Sequence, residues 1–143
     1  MLAIHDKDEL ELIDGLGDLL YVMAGAWVAI KGDDTYPTCD DKFRLAEVPN
    51  WPVWSANYVG HIRNHVRGCV ETAAAFTDPD PRYKHGIKLA IGALHYAGYD
   101  IVGIFDEIHA SNMTKTPTKG DIRVRVKGPD FRLPDLTRFL RGK

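Results

Sequence analysis

Three carboxylates near the amino terminus recur at a spacing that suits one face of a helix. Glu11, Asp14 and Asp18 lie three and four residues apart, so a helix places them on a single stripe. Like charges at this spacing destabilise a helix unless a cation neutralises them. Because Mg²⁺ and Mn²⁺ bind oxygen ligands and bridge carboxylates to phosphates, the stripe predicts a metal site. The alternative is a solvated acidic face, which the dipole favours near a helix amino terminus.

A second polar group lies at the end of a predicted helix near the carboxyl terminus. Asn112 and Lys115 continue the apolar stripe formed by Ile104 and Ile108. An amide and an ammonium on an apolar face are costly unless they find partners. A bound nucleotide would supply such partners, with the lysine acting as a point charge for phosphate. The alternative is a frayed helix end that leaves both side chains in solvent, with Lys115 as an ordinary cation near the carboxyl end of the helix.

Four helices are expected to position these two groups. The recurrence of apolar residues, interrupted by turn-forming residues, indicates an all-α fold that resembles a four-helix bundle. The predicted helices cover about 7–31, 55–76, 82–96 and 101–113.

The connections carry recognisable turn and capping residues. Prolines and glycine indicate a long connection over 32–54, which Trp51 and Trp54 are expected to pin to the core. Residues 77–81 contain two prolines and should end the second helix. The tail has one alternating stretch, 122–126, which is typical of a strand or an extended arm. The predicted helix caps are Asp6 or Asp8, Ser55 and Asp100.

Composition places the chain among ordinary globular domains and excludes several classes. With 143 residues, 45% of them hydrophobic, it has the size of one domain, 1–143. A net charge of −2 gives no general attraction to nucleic acid. Cys39 and Cys69 are too few for a disulfide scaffold and indicate free thiols in a reducing compartment. No signal peptide and no uninterrupted apolar run of roughly 18 residues are evident, so we expect a cytoplasmic protein without a membrane span.

Several other residues have simpler interpretations. His61 and His65 stand four residues apart, the spacing of a helical zinc pair, but no glutamate lies between them. Partly exposed helix histidines are the alternative. Tyr21 and Trp27 are expected in the core, although a nucleotide site would need one aromatic platform for the base. Glu107 and His109 are expected at the surface or at an interface, and the basic end formed by Arg138, Arg141 and Lys143 is expected to be solvated.

Three segments together resemble one family of enzymes. Residues 11–22 resemble the metal-binding helix of MazG-like nucleoside triphosphate pyrophosphohydrolases, especially the phage branch. Residues 104–115 resemble the last core helix of that branch, and residues 126–136 resemble its usual ending. The segments cover about a quarter of the chain and occur in the expected order.

The resemblance implies an activity and a set of site residues. Members hydrolyse the α–β phosphoanhydride of an NTP or dNTP with Mg²⁺ or Mn²⁺, and they assemble as homodimers or homotetramers with sites near subunit interfaces. A guanine deoxynucleotide in phage nucleotide metabolism is one substrate that the phage branch suggests. The residues that match the metal-binding acids, the nucleotide-contacting pair and the tail are Asp14 and Asp18 with Glu11 as neighbour, Asn112 with Lys115, and Lys127.

The chain also departs from the family pattern. The family has a preceding helix with a Glu-Glu-x-x-Glu motif, but only ten residues precede Glu11 here. Between the two matching helices the chain has about 60 extra residues within 32–98, followed later by the tail 114–143. The inserted second helix is expected to replace the missing one, with Glu71 as a candidate extra ligand. The rival hypothesis is a non-catalytic helical nucleotide-binding or interaction module.

Overall fold

Helices account for most of the regular structure in the computed structural model, which describes residues 2–31, 48–75, 77–117 and 125–142. The all-α prediction is confirmed for these residues. Two strands of two residues each and one short 3₁₀ turn complete them. In chain order the elements are α1 (Leu2–His5), α2 (Glu9–Lys31), α3 (Ala56–Ala75), α4 (Pro79–Tyr96), α5 (Ile101–Met113), β1 (Thr116–Pro117), β2 (Arg125–Val126) and the 3₁₀ turn (Thr137–Phe139).

Local chemistry explains where the helices differ from the prediction. Helix α2 begins at Glu9 because Lys7 has a positive φ of 54°, and the Asp8 carboxylate accepts a hydrogen bond from the Glu11 N–H at 3.0 Å. Of the two predicted caps, Asp8 is therefore the one used. Helix α4 begins at Pro79, three residues before the predicted start. Proline lacks an N–H and suits the first turn of a helix, so the prolines that follow α3 also start α4.

Hydrogen bonds confirm the predicted amino-terminal caps of α3 and α5. The Ser55 hydroxyl accepts from the Tyr58 N–H at 3.3 Å, and the Asp100 carboxylate accepts from the Gly103 N–H at 3.0 Å. Helix α4 closes before Gly98, whose φ of 90° is the left-handed conformation that glycine adopts at low cost.

Helix α4 lies at the centre of the packing, against both α2 and α3, while α5 packs mainly against α2. The inserted helix α3 therefore joins the core through α4. Trp51 and Trp54 pack against the main core, as predicted, and Trp27 is buried in a second cluster. The fully buried side chains of the main core include Leu12, Ile13, Tyr58, Ile62, Leu94, Ile104, Ile108 and Leu136.

One glycine in α2 allows a close approach between α2 and α5. A Cβ at Gly17 would collide with Ile108 Cδ1 and would lie 3.0 Å from Ile104 Cγ2. A side chain at this position would force the buried Ile108 side chain to move. Gly17 lies between Asp14 and Asp18, so the contact that requires glycine also sets the distance between the acidic stripe and α5.

The carboxyl end of the chain returns to the start of α2. Glu9 accepts hydrogen bonds from the Tyr99 hydroxyl at 2.7 Å and from the Arg141 and Gly142 N–H groups at 2.6 and 3.0 Å. The Arg141 guanidinium donates to the Ala97 carbonyl at 2.6 Å. The prediction that Arg141 is a solvated surface residue is therefore wrong, because both its backbone and its side chain hold the end of the tail.

Helix α2 is also apolar and long. By length and composition Glu9–Ile30 meets a criterion for membrane-spanning helices, which core helices of soluble proteins and signal sequences meet as well. In this fold 39% of that apolar window is buried against the rest of the chain.

Candidate functional site

A cleft of about 140 Å³ opens where α2, the end of α5 and the tail meet. The cleft gathers five of the six residues that the sequence singled out, which are Asp14, Asp18, Asn112, Lys115 and Lys127. The remaining lining residues come from α5 and from the tail segment 131–134, and all of them except Ser111 are apolar.

The two aspartates of the cleft lack hydrogen-bond donors. Neither carboxylate accepts a hydrogen bond from any residue in the described ranges. Burial raises the pKa of Asp14, and the nearby charge of Asp18 raises it further. Partial desolvation also raises the pKa of Asp18, while the positive charges of Lys115 and Lys127 act to lower it. The pair therefore carries negative charge that burial disfavours and that a bound cation would stabilise.

A short ladder brings the two lysines of the cleft together. Strands β1 and β2 are antiparallel, with Thr116 opposite Val126, so Lys115 and Lys127 flank the same end of the ladder. The Phe131 ring lies near both ammonium groups, 5.9 Å from Lys115 Nζ and 5.2 Å from Lys127 Nζ, each measured to the ring centroid. Both contacts are within the range of cation–π attraction. Of the alternating stretch predicted at 122–126, residues 122–124 lie outside the described residues.

Asn112 occupies the wall opposite the aspartates. Its side-chain Nδ2 donates to the Ile108 carbonyl at 3.0 Å, so one N–H of the carboxamide is satisfied within its own helix. The alternative of a frayed end is wrong, because α5 continues to Met113 and the Thr114 N–H donates to the Ser111 carbonyl at 3.0 Å. Asn112 is half-buried in the cleft wall, and its carboxamide oxygen accepts no hydrogen bond from the described residues.

Sequence reasoning missed the residues that hold the tail over the cleft. Glu107 was expected at the surface, but its side chain is only 10% exposed and accepts hydrogen bonds from Arg132 Nη1 at 2.6 Å and the Asp135 N–H at 2.9 Å. The Ser111 hydroxyl donates to the Arg132 carbonyl at 2.7 Å, and the Thr114 hydroxyl accepts from the Arg132 N–H at 2.9 Å. The two hydrogen bonds that the Glu107 carboxylate accepts, first that from Arg132 and then that from Asp135, lower the pKa of Glu107. The helical spacing of residues 107, 111 and 114 was the available signal.

Two predicted metal ligands are not brought to the cleft. Glu11 is exposed and does not line the cleft, although it shares a helix with Asp14. Glu71 is exposed on α3, which packs mainly against α4 and contributes no lining residue. Within the described residues no group of three or more His, Cys, Asp and Glu side chains could hold a metal ion. The described residues of a single chain thus bring two carboxylates to the cleft.

Two carboxylates are nevertheless a donor set that suits Mg²⁺ bound together with a phosphate. This ion is commonly held by one or two carboxylates, with substrate phosphates and water completing its coordination. Asp14 and Asp18 lie one helical turn apart, and the charge of Asp18 raises the pKa of Asp14. The residues present therefore fit a substrate-assisted metal site.

The histidine pair on α3 is occupied by the backbone. His61 Nε2 donates to the Gly92 carbonyl at 3.1 Å, and His65 Nδ1 donates to the His61 carbonyl at 2.9 Å. The two rings lie 4.1 Å apart between centroids. Within the described residues no third His, Cys, Asp or Glu side chain joins the pair in a group that could hold a metal ion, so the geometry favours packed helix histidines over a zinc pair.

Comparisons with known proteins leave the fold and the cleft as the basis for any functional assignment. No family model matches the chain, and searches of curated proteins and of solved structures found no match either. Fold and site define an all-α domain with a cleft that sets two carboxylates against two lysines and a carboxamide. The resemblance to the MazG-like family stays a prediction.

Proposed function

We propose that the protein is a metal-dependent nucleoside triphosphate pyrophosphohydrolase. In this reaction water adds to the α-phosphorus, the bond from that phosphorus to the α–β bridging oxygen breaks, and the products are a monophosphate and pyrophosphate. The observation that carries the proposal is the composition of the cleft, where two aspartates that accept no hydrogen bond from the described residues share one small volume with Asn112, Lys115 and Lys127. A triphosphate needs both kinds of group, since a cation joins it to carboxylates and lysines offset its remaining charge.

The metal has a defined place in this proposal. Asp14 and Asp18 would hold Mg²⁺ or Mn²⁺, and such an ion supplies water activation and charge stabilisation during phosphoryl transfer. The raised pKa values of both carboxyls reflect burial, and for Asp14 also the neighbouring negative charge, which a divalent cation would offset.

The remaining residues of the cleft orient the phosphates. Lys115 and Lys127 enter from one end of the β1–β2 ladder, and Phe131 lies against both ammonium groups. Asn112 presents its carboxamide from α5. Holding the reacting groups in fixed positions accounts for a large part of catalysis in phosphoryl transfer, so preformed cations and a fixed amide suit this reaction.

The resemblance to phage MazG-like enzymes supports the proposal, because the segments that carry it contribute most of the cleft. On this proposal the enzyme acts in the cytoplasm, in the host cell if the chain is phage-encoded, and guanine deoxynucleotides are the first substrates to test. Assembly as a homodimer or homotetramer would allow a second subunit to add a metal ligand that Glu11 and Glu71 do not provide within one chain.

A second candidate function is a non-catalytic module that binds nucleotides. The observation in its favour is that, among the residues that the structure describes, only two carboxylates line the cleft. Such a module would retain the lysines and the carboxamide for phosphate while lacking the ligands needed for turnover.

Release of pyrophosphate from a panel of NTPs and dNTPs, with Mg²⁺ or Mn²⁺, tests the proposed reaction. Asp18→Asn should lower kcat/KM at least about 100-fold, since metal-based charge stabilisation is worth several kcal/mol. Asp106→Asn removes an exposed carboxylate of α5 outside the cleft and serves as the matched control, with activity close to wild type. Glu11→Gln tests the sequence-based ligand, and a loss as large as that of Asp18→Asn would assign it to the metal.

Two results would overturn the proposed reaction. One is the absence of turnover with either metal across the whole panel. The other is equal loss of activity in Asp18→Asn and Asp106→Asn. Nucleotide binding without turnover, weakened in Lys115→Gln, would then favour the non-catalytic module.

A further inference from the structure

The groove between α2 and α5 continues beyond the cleft. On α2 the residues Asp14, Asp18, Tyr21, Gly25 and Val28 follow each other at alternating spacings of four and three, which keeps them on one helical stripe. The last three belong to a second cavity of about 330 Å³. This cavity, named here the Tyr21 pocket, is lined by Tyr21, Ala24, Gly25, Val28, Phe105 and His109.

The Tyr21 pocket and the cleft are neighbours along both helices. Tyr21 follows Asp18 by three residues, an axial rise of about 4.5 Å, and His109 precedes Asn112 by the same interval. The antiparallel course of the two stripes puts the polar cleft at one end of the groove and the aromatic pocket at the other. A ligand with an anionic end and an apolar end would therefore span the two.

The pocket has the chemistry of a site for a planar heteroaromatic ring. The Tyr21 ring lies 5.5 Å from the Phe105 ring and 5.8 Å from the His109 ring, measured between centroids. The Tyr21 hydroxyl and His109 Nδ1 are hydrogen-bonded at 3.1 Å. Apart from His109, none of the described residues that line the pocket is ionisable near neutral pH. Aromatic faces would stack on a ring, and the imidazole offers its edge a hydrogen bond.

Size separates the roles of the two cavities. Pockets for small organic ligands measure about 300–1,000 Å³. The cleft, at about 140 Å³, is too small for a whole nucleotide, whereas the Tyr21 pocket, at about 330 Å³, falls within that range. A nucleotide whose phosphates occupy the cleft must place its base outside it, and the groove leads to the Tyr21 pocket.

We propose that the Tyr21 pocket binds the nucleobase of the triphosphate whose phosphates lie in the cleft, and that His109 contributes to base selection. This inference rests on the proposed function, because it takes the cleft as the phosphate site. Tyr21 and Phe105 supply the stacking surfaces. His109 is exposed at the rim, where its imidazole can hydrogen-bond the edge of the base.

Gly25→Leu is the sharpest variant for testing the pocket. Gly25 lines the pocket and a Cβ there would meet no atom within 4 Å, so a leucine side chain would begin in open space at the pocket wall. Gly60→Leu on α3 is the matched control, since Gly60 is also helical and its Cβ would also meet nothing within 4 Å. His109→Ala, at an exposed side chain, is a second variant if Gly25→Leu fails to fold.

Steady-state kinetics should compare a nucleoside triphosphate panel with methyl triphosphate, which has the phosphates but no base. We expect Gly25→Leu to raise KM for the preferred nucleotide about tenfold or more, and His109→Ala to alter the order of base preference. Cleavage of methyl triphosphate should be unchanged in both variants, and Gly60→Leu should behave as wild type. An unchanged nucleotide KM in Gly25→Leu, or an equal loss with methyl triphosphate, would overturn the inference.

A binding experiment separates this inference from the proposed reaction. Calorimetry with nucleoside monophosphates, in the absence of metal, should detect binding to the wild type that Gly25→Leu abolishes. If no triphosphate is hydrolysed, this result still supports the base pocket while the proposed reaction fails. Absence of monophosphate binding overturns the pocket, as does a change of oligomeric state in Gly25→Leu without any change in binding, which would show that a second copy of the chain fills the groove.

Discussion

Carboxylates occur in two contrasting settings in this molecule. Glu9 and Glu107 are almost fully buried, and each accepts at least two hydrogen bonds from groups that fix the tail. Asp14 and Asp18 lie in the cleft and accept none from the described residues. The pKa of Glu107 is lowered, chiefly by its hydrogen bond from Arg132, whereas burial raises the pKa values of both aspartates.

The contrast distinguishes carboxylates whose partners belong to the fold from carboxylates whose partner must come from outside. A buried charge is stable when donors surround it and costly when they do not. Around Glu9, burial raises the pKa of Tyr58 to about 12 and that of Tyr99 as well, so both phenols stay protonated and Tyr99 donates to the carboxylate. Asp14 is half-buried and Asp18 is exposed, and among the described residues no donor plays this role for either carboxylate, which suits a cation site.

The largest effect on stability is expected at Glu9. Glu9→Ala removes the acceptor for the Tyr99 hydroxyl and for the N–H groups of Arg141 and Gly142. Leaving such donors without a partner in a largely buried position costs about 1–3 kcal/mol. Urea unfolding should show a loss of that size, together with faster proteolysis of the carboxyl-terminal residues.

Glu11→Ala is the control for this comparison. Glu11 is exposed on the same helix, and an exposed substitution of this kind changes stability by about 0.5 kcal/mol or less. If the two variants lost equal stability, the hydrogen bonds of Glu9 would not be what holds the tail.

The part of the site that could be predicted from the sequence depends on local helical geometry. Asp14 and Asp18 are separated by one turn of α2, so their shared face follows from spacing alone, whereas Asn112 lies in the last turn of α5 and Lys115 lies two residues beyond the end of that helix. The resemblance added Lys127. Glu11 satisfied the same spacing but does not line the cleft, because α5 and the tail meet only the part of the acidic stripe that contains Asp14 and Asp18.

The residues that could not be predicted act across long separations in the chain. Glu107 meets Arg132 across 25 residues, and Glu9 meets Arg141 across 132. The spacing of residues along one sequence does not indicate contacts between distant segments. A glutamate or an arginine at a polar position is therefore most simply assigned to the surface. In the tail the sequence singled out Lys127 alone, although residues 131–134 also line the cleft.

A smaller effect of opposite sign is expected at the cleft. The folded-state pKa of Asp14 is raised above its ordinary value of 3.8, so the folded protein binds more protons than the unfolded chain between these two values. Its charge therefore costs stability at neutral pH, and that cost disappears as the pH falls through the raised pKa. Asp14→Asn should be more stable than wild type at pH 7, by less than about 1 kcal/mol because solvent screens the charge, and the difference should shrink toward pH 4.

Glu107→Gln provides the reverse pattern in the same measurement. Its lowered folded-state pKa means that its charge stabilises the protein above the ordinary value of 4.5, and this contribution is lost as the pH falls through the lowered pKa. Glu107→Gln should thus be less stable than wild type at pH 7. A less stable Asp14→Asn at pH 7 would show that Asp14 has stabilising partners and would remove the contrast between the two settings.

The smallest expected effect concerns His61 on α3, a partly buried side chain that the folded protein keeps neutral. Burial lowers the pKa of His61, and the neighbouring His65 lowers it further. The unfolded chain therefore takes up a proton near the ordinary value of 6.5 before the folded protein does, so stability is complete above that pH and declines as the pH falls through the lowered pKa. Between pH 7.5 and 5.5 the melting temperature should fall by no more than about 4 °C from this source.

His61→Asn, which keeps a side-chain donor near the Gly92 carbonyl, should flatten this dependence, whereas His5→Gln at an exposed position should leave it unchanged. A slope that persists in His61→Asn would place the responsible titration elsewhere and leave the carboxylates of the cleft as the next groups to test.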